Sequence, residues 1–209
     1  MSSAKQHILK RIREAIAVPT PIPFPKSEGS SPVFFPARQE NEIEFAEQFT
    51  KLLGKFVYCA DQSELRAALQ QVISVNGWKN LFSRDSELVT TLWPAGNPLI
   101  SDKDLAGCDA ALTNCELLIA RTGSIVLSSA LPSGRTGSVY APVHLCVARS
   151  SQLVYDLREG LEWLQQKYGP RIPSLITLAT GPSRTADIEK TLVVGVHGPG
   201  EVYVFLVDD

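Results

Sequence analysis

The residues best suited to chemistry gather in one stretch near the end of the chain. Thr180, Gly181, Ser183, Arg184, Thr185, Asp187, Glu189, His197 and Gly198 lie between apolar runs at 175–179 and 202–207. Connections between strands usually take about 4–6 residues, and longer ones are often functional. Gly181-Pro182 breaks the first run, because proline offers no N–H to a strand ladder. Ser183 or Thr185 then predicts the cap of a short helical turn through Asp187, Ile188 and Glu189, its acidic residues at the positive end of the helix dipole. Free N–H groups, hydroxyls and the Arg184 fork make an anion pocket there, and Arg184 can clamp a carboxylate or phosphate with paired bonds. Gly195, Gly198 and Gly200 bracket His197, whose ordinary pKa of about 6.5 suits a proton carrier, with Asp187 to orient it. The same residue types also compose an ordinary cap, a surface arginine and a hydrogen-bonded turn histidine. Composition alone leaves both readings open.

A second group stands upstream. Apolar 117–120 and 125–127 flank Arg121-Thr122-Gly123-Ser124, which reads as two strands joined by a tight polar turn. A third, Gly-rich loop covers 133–138 before an apolar run at 144–148. Both loops supply hydroxyls, N–H groups and an arginine, so each is a candidate to hold an oxyanion, and each is also what a plain polar loop looks like.

The elements that must position these groups follow from periodicity. Residues 4–17 form an amphipathic helix, with Ile8, Leu9, Ile12 and Ile16 on one face. Prolines at 19, 21, 23, 25, 32 and 36 make the next stretch an extended arm. The sequence predicts helices over 40–53 (ended by Gly54), 61–73 and 85–92, and one over 152–168 capped by Ser150 or Ser151. Short strands fall at 55–59, 81–82, 99–100 and 110–113 between them. Such alternation implies an α/β domain on a largely parallel sheet, whose ligands collect at the carboxyl ends of the strands. The chain therefore divides into an N-terminal helix with a Pro-rich arm (1–36) and an α/β domain (37–209).

Composition narrows the functional classes. The net charge of −2 gives no basic footprint for nucleic acid. No apolar run approaches the roughly 18 residues that span a bilayer, and the N-terminus lacks a continuous signal core, so a cytoplasmic protein is expected. Cys59, Cys108, Cys115 and Cys146 form no C-x-x-C pair, which argues against a structural zinc or an iron–sulfur cluster held by this chain.

The run TGPSRTADIEKTLVVGVHGPGEVYVFLVDD at 180–209 resembles the C-terminal signature of LUD domains, as in the lactate utilization protein C (LutC) family. RTGSIVL at 121–127 resembles an earlier block of that family, and the helix with its Pro-rich arm also fits. Arg121 departs from the acidic residue that many relatives carry before Thr-Gly, which exchanges a carboxylate for a cation. The resemblance implies a Rossmann-like three-layer α/β fold of the NagB/RpiA/CoA-transferase-like group. It also implies a part in the oxidation of L-lactate to pyruvate beside two companion subunits. The iron–sulfur clusters would belong to those companions, leaving no cofactor on this chain.

Joined to the residue reading, this gives a non-redox subunit that binds a small carboxylate or related anion. Arg121, Thr122, Gly123, Ser124, Thr180, Gly181, Ser183, Arg184, Thr185 and Gly198 are the binding candidates, and His197, Asp187 and Glu189 the catalytic ones. Two other readings stay open: a stand-alone enzyme on a phosphorylated or CoA-linked metabolite, and a non-catalytic scaffold. The arm at 1–36 leaves homo-oligomer formation open as well.

Overall fold

A computed structural model describes residues 3–17, 35–188 and 191–208, with the side chains of Ser3, 186–188 and 191–192 outside the description. The chain divides into two compact units, Met1–Pro36 and Ala37–Asp209. In the first unit, α1 (Ser3–Ile16) is an amphipathic helix whose Ile8, Ile12 and Ile16 are exposed.

The second unit is built on a six-stranded, wholly parallel sheet. Its members are β1 (Lys55–Cys59), β2 (Leu81–Phe82), β3 (Ile100–Ser101), β4 (Ala110–Asn114), β7 (Val143–Arg149) and β12 (Glu201–Val207), ordered β1-β12-β7-β4-β2-β3. Between β4 and β7 come β5 (Leu117–Ile119) and β6 (Ser124–Ser128), and after β7 come β8 (Leu153–Val154) and β9 (Ile176–Ala179). These four make a second, mixed sheet ordered β8-β5-β6-β9. The run at 175–179 thus joins this smaller sheet rather than the parallel one.

Period-2 alternation explains why the central strands are buried on both faces. On β12, Tyr203, Phe205 and Val207 face α3 (Gln62–Asn76) and α4 (Ser86–Leu92), packing with Leu65, Leu69, Ile73 and Leu92. The alternate residues Val202, Val204 and Leu206 pack on Phe45 and Phe49 of α2 (Asn41–Lys51) and on Leu118, Ile125 and Leu127 of the small sheet. Helix α6 (Leu157–Tyr168) covers the outer face of that sheet through Leu164, against Leu117, Ile119 and Val126.

Local chemistry sets the helix ends. Asp61 caps α3, Asp85 caps α4 and Asp156 caps α6 through backbone N–H groups of their first turns. The expected Ser150 or Ser151 cap gives way to a 3-10 turn at Ser150–Gln152 followed by β8, because Leu153 and Val154 pair with β5 before the helix begins. Helix α2 ends at Leu52 rather than through Gly54, and Leu53 takes the left-handed conformation. Gly54 serves packing instead: a Cβ there would lie 2.4 Å from the Phe49 ring.

One larger correction concerns 183–189. No helical turn forms among the described residues. Arg184–Ile188 is β10, paired antiparallel with β11 (Thr191–Val194) in a separate hairpin. The residues expected to cap a helix precede or join a strand instead, since Thr185 lies opposite Val193 and β-branched Thr, Ile and Val favour the pleated backbone. Asp187 keeps only its backbone place in β10, and Glu189 lies outside the described residues.

Candidate functional site

The two Gly-containing turns singled out in the sequence do meet, but around a helix end. The Arg121–Ser124 turn closes the β5–β6 hairpin with a 3-10 turn over Ala120–Thr122 and a left-handed Gly123. A Cβ on Gly123 would lie 2.5 Å from the backbone N of Phe49, so the turn is pressed onto α2. Gly181, also left-handed, would place a Cβ 2.5 Å from the Leu52 carbonyl oxygen. Arg184 donates from Nη2 to that same carbonyl, the natural place for a cation at a helix C-terminus. Thr122, Ser124 and Thr180 complete the contact as a hydroxyl chain, with 2.7 Å between the first two oxygens and 2.9 Å between the last two.

The cations of this region are therefore already matched. Arg121 lies against the Asp156 carboxylate as a close ion pair, although its Nε–H is not aligned on that oxygen, and its backbone N–H goes to the Tyr155 carbonyl. Burial works to raise the Asp156 carboxyl, but hydrogen bonds from the Arg158 N–H and Arg121 outweigh it and hold the carboxyl below its usual range.

His197 stands elsewhere. With Gly195, Val196 and Gly198 it lines an open hollow of about 500 Å³ whose other wall is Val139–Pro142. Gly198 fits closely under Ser183, whose N–H donates to the Pro199 carbonyl at 2.9 Å. Gly198 thus lines this hollow with Ser183 packed on it, while Thr122, Gly123, Ser124, Thr180, Gly181 and Arg184 gather at the end of α2 and Arg121 turns to Asp156. The loop at 133–138 is tucked in too, with Ser133 buried and Gly137 packed on Phe82 and Thr113.

Buried ionisable groups away from these turns read as framework. His144 on β7 is fully enclosed, and burial lowers its pKa to about 4. Thr113 Oγ1 lies 2.8 Å from the His144 Nε2 and 2.9 Å from the Asn114 carbonyl oxygen, so the ring is tied into the β4–β7 pairing. The buried Glu116 carboxylate accepts from Ser128, Lys167 and Tyr168 at 2.5, 2.7 and 2.6 Å. Burial alone would raise its pKa, but these three donors hold it below the usual value. All four cysteines are buried; burial raises the Cys59 and Cys108 thiols, and hydrogen bonding to Cys146 with burial raises Cys115, so none of these three is primed as a thiolate. Among the described residues no three His, Cys, Asp or Glu side chains converge as a metal site.

The sequence reading missed a crevice of about 280 Å³ at the carboxyl ends of the parallel strands. Gln62 follows β1, Asp85 follows β2, Asn114 ends β4 and Arg149 ends β7, and all four line it. The strand order turns back here: β2 leads outward to β3, whereas β4 leads through β7 and β12 toward β1. Such a switch point is where open α/β sheets bind ligands. The available signal was a polar residue one to three positions after each apolar strand run, a better guide here than the Gly-rich turns.

The family model of the LUD domain matches residues 100–207, just over half of the chain. This chain belongs to the LUD domain family. It is similar to proteins called Lactate utilization protein C: 38% identical over 111 residues in Deinococcus radiodurans (53% of this chain, 51% of that one) and 28% over 163 residues in Shouchella clausii (71% of each). In Bacillus subtilis the identity is 32% over 138 residues, covering 64% of this chain and 58% of the relative. The matches thus span between half and seven-tenths of those relatives' length. A crystal structure of a DUF162 family protein from Deinococcus radiodurans shares the fold, with a TM-score of 0.61 at 22% identity over 83% of this chain and 99% of that one. The mixed α/β architecture on a mostly parallel sheet is therefore the family's own. Among the described residues no helix is long and apolar enough to cross a membrane.

Proposed function

We propose that this chain is the non-redox subunit of an iron–sulfur system that oxidises L-lactate to pyruvate, and that it binds a small carboxylate or related anion. The observation that carries this reading is the similarity to Lactate utilization protein C, over 71% of the chain in the Shouchella clausii relative. The clusters and the electrons belong to two companion subunits, and this chain's dispersed, buried cysteines are framework. Cytoplasmic placement goes with that assignment.

The anion site falls on the hollow beside His197, which is exposed and reachable by solute. His197 is its proton carrier, Ser183 and Gly198 pack together beside it, and Thr185 stands on the strand that leaves Ser183. Asp187 and Glu189, whose side chains lie outside the described residues, remain its proposed acidic partners. Arg184 and the 121–124 turn contribute by holding the hairpin on α2 rather than by touching ligand.

Thermal shift with L-lactate and pyruvate tests the ligand, and co-purification with two cysteine-rich companions tests the assembly. Ligand at about 100 times its Kd adds about 2.7 kcal/mol, a rise of several degrees for a domain of this size. The rise should vanish in His197→Ala. No rise with either acid, alone or with the companions present, sinks the reading. Turnover of a phosphorylated or CoA-linked metabolite by the chain alone would replace it with a stand-alone enzyme.

A further inference from the structure

The crevice at the strand carboxyl ends shares no lining residue with the hollow beside His197, and what it offers is different. Among the described residues, Asp85 Oδ2, Asn114 Oδ1 and Gln62 Oε1 are buried and accept no hydrogen bond. Buried polar atoms are nearly always paired, so three unpaired acceptors in one wall call for an explanation. Asp85 is the firmest of them. It is 3% exposed, its Oδ1 is occupied by the Leu88 N–H at 2.9 Å, and its Oδ2 is left over. An amide side chain can turn and present either face, but a carboxylate can only accept. The third amide of the wall, Gln152, is engaged, accepting from the Arg149 N–H at 2.8 Å and donating to the Cys115 carbonyl at 2.7 Å.

We infer that this crevice binds an uncharged polyhydroxy compound of monosaccharide size. Hydroxyl groups can donate to the spare Asp85 oxygen and either donate to or accept from the amides of Asn114 and Gln62, and each hydroxyl also keeps lone pairs for a donor such as Arg149. Asp85 and Glu87 with a single Arg149 give the lining no cationic surplus to draw an anion. The volume of about 280 Å³ sits at the lower end of small-molecule sites, which run from roughly 300 to 1,000 Å³. A sugar ring fits that space, whereas a dinucleotide or coenzyme A does not. An oxygen-lined wall also suits a hard cation. Against that stand Arg149 in the same wall and the want of a third carboxylate, histidine or thiol among the described residues.

The test is titration of the intact chain with D-ribose and with myo-inositol by saturation-transfer NMR, with cyclohexanol as the ring that lacks the hydroxyl set and MgCl2 as the cation arm. Saturable binding of ribose or inositol is expected, with cyclohexanol at least about tenfold weaker. Asp85→Asn keeps the oxygen that caps α4 and turns the spare acceptor into a donor; it should weaken binding about tenfold or more, as expected for a hydrogen bond to a charged group. Asn114→Ala should act in the same direction, and unchanged melting temperatures show that both variants fold. Failure of both polyols to bind, cyclohexanol binding as well as they do, or an indifferent Asp85→Asn overturns the inference. Saturable Mg2+ binding lost in Asp85→Asn overturns it in favour of a cation site. Neither result bears on lactate at His197, because the two sites share no residue.

Discussion

Two polar regions of this domain look alike in composition and differ in how their groups are used. Around the last turn of α2, the 121–124 turn and the 180–184 segment present arginines, hydroxyls and left-handed glycines that are mostly engaged within the chain, the Arg121 Nε–H being held by charge rather than by an aligned hydrogen bond. Arg184 meets the Leu52 carbonyl, Arg121 meets Asp156, and Ser124 links Thr122 to Thr180. In the crevice at the strand ends, Asp85, Asn114 and Gln62 each keep a buried oxygen without a partner among the described residues. The lesson is one of accounting for every buried donor and acceptor. A polar cluster that satisfies itself is scaffold, however rich in Gly, Ser and Arg it is, and spare hydrogen-bonding capacity marks the place for something else.

The sharpest way to break that contrast is to put a methyl group into the turns. Gly123→Ala and Gly181→Ala combine a left-handed backbone with a Cβ 2.5 Å from backbone atoms of α2. Each should cost roughly 3–4 kcal/mol in urea unfolding, because neither strain nor clash can relax without moving the helix end. Gly134→Ala is the control: it shares the left-handed conformation but opens onto empty space, so it should lose only about 1–2 kcal/mol. Equal losses at all three positions would mean that the turns do not press on α2.

The next effect is set by pH. His144 is a spent group like those around α2, held neutral by burial with a pKa of about 4, against about 6.5 when unfolded. The unfolded chain therefore binds the extra proton first. Stability from this residue is full above about pH 6.5, falls as the pH drops, and is lost by about pH 4, a change of roughly 3 kcal/mol. His144→Gln should flatten that part of the stability–pH curve. A curve that keeps its slope would assign the acid sensitivity to other groups.

Arg184→Ala comes third. Its loss leaves the Leu52 carbonyl without its donor at the end of α2, an expected cost of about 2 kcal/mol. On the reading given above, the response to lactate of the protein that remains folded should not change. A lactate response abolished without loss of stability would restore Arg184 as an anion clamp and blur the distinction between the regions.

Much of this architecture is legible in the sequence, and the failures share a cause. Alternating apolar runs give the parallel sheet, and 117–127 gives a hairpin, because period and turn chemistry are local. What the 180–189 stretch does is decided by non-local pairing: Thr185 opposite Val193 makes a strand of residues whose hydroxyls look like caps. The same holds for the sites. A motif shows which residues are polar, but not that Arg121 will find Asp156 or that Arg184 will reach back 132 positions to Leu52. The crevice is equally invisible residue by residue, since Gln62, Asp85 and Asn114 have no common motif and converge only through the order of the strands.

The smallest effect is the most discriminating. Asp85→Asn removes a buried negative charge yet preserves the one interaction that the side chain makes with its own chain, the cap on Leu88. If the second oxygen did structural work through a partner, the substitution should cost about 1–3 kcal/mol. With no partner among the described residues, the loss should stay within about 0.5 kcal/mol, and the relief of an unpaired buried carboxylate can make the variant slightly more stable. Groups kept at a cost to stability belong to function, so stability unchanged while ribose affinity falls is the signature expected here. A large loss of stability would place Asp85 with the framework instead and leave the two regions alike.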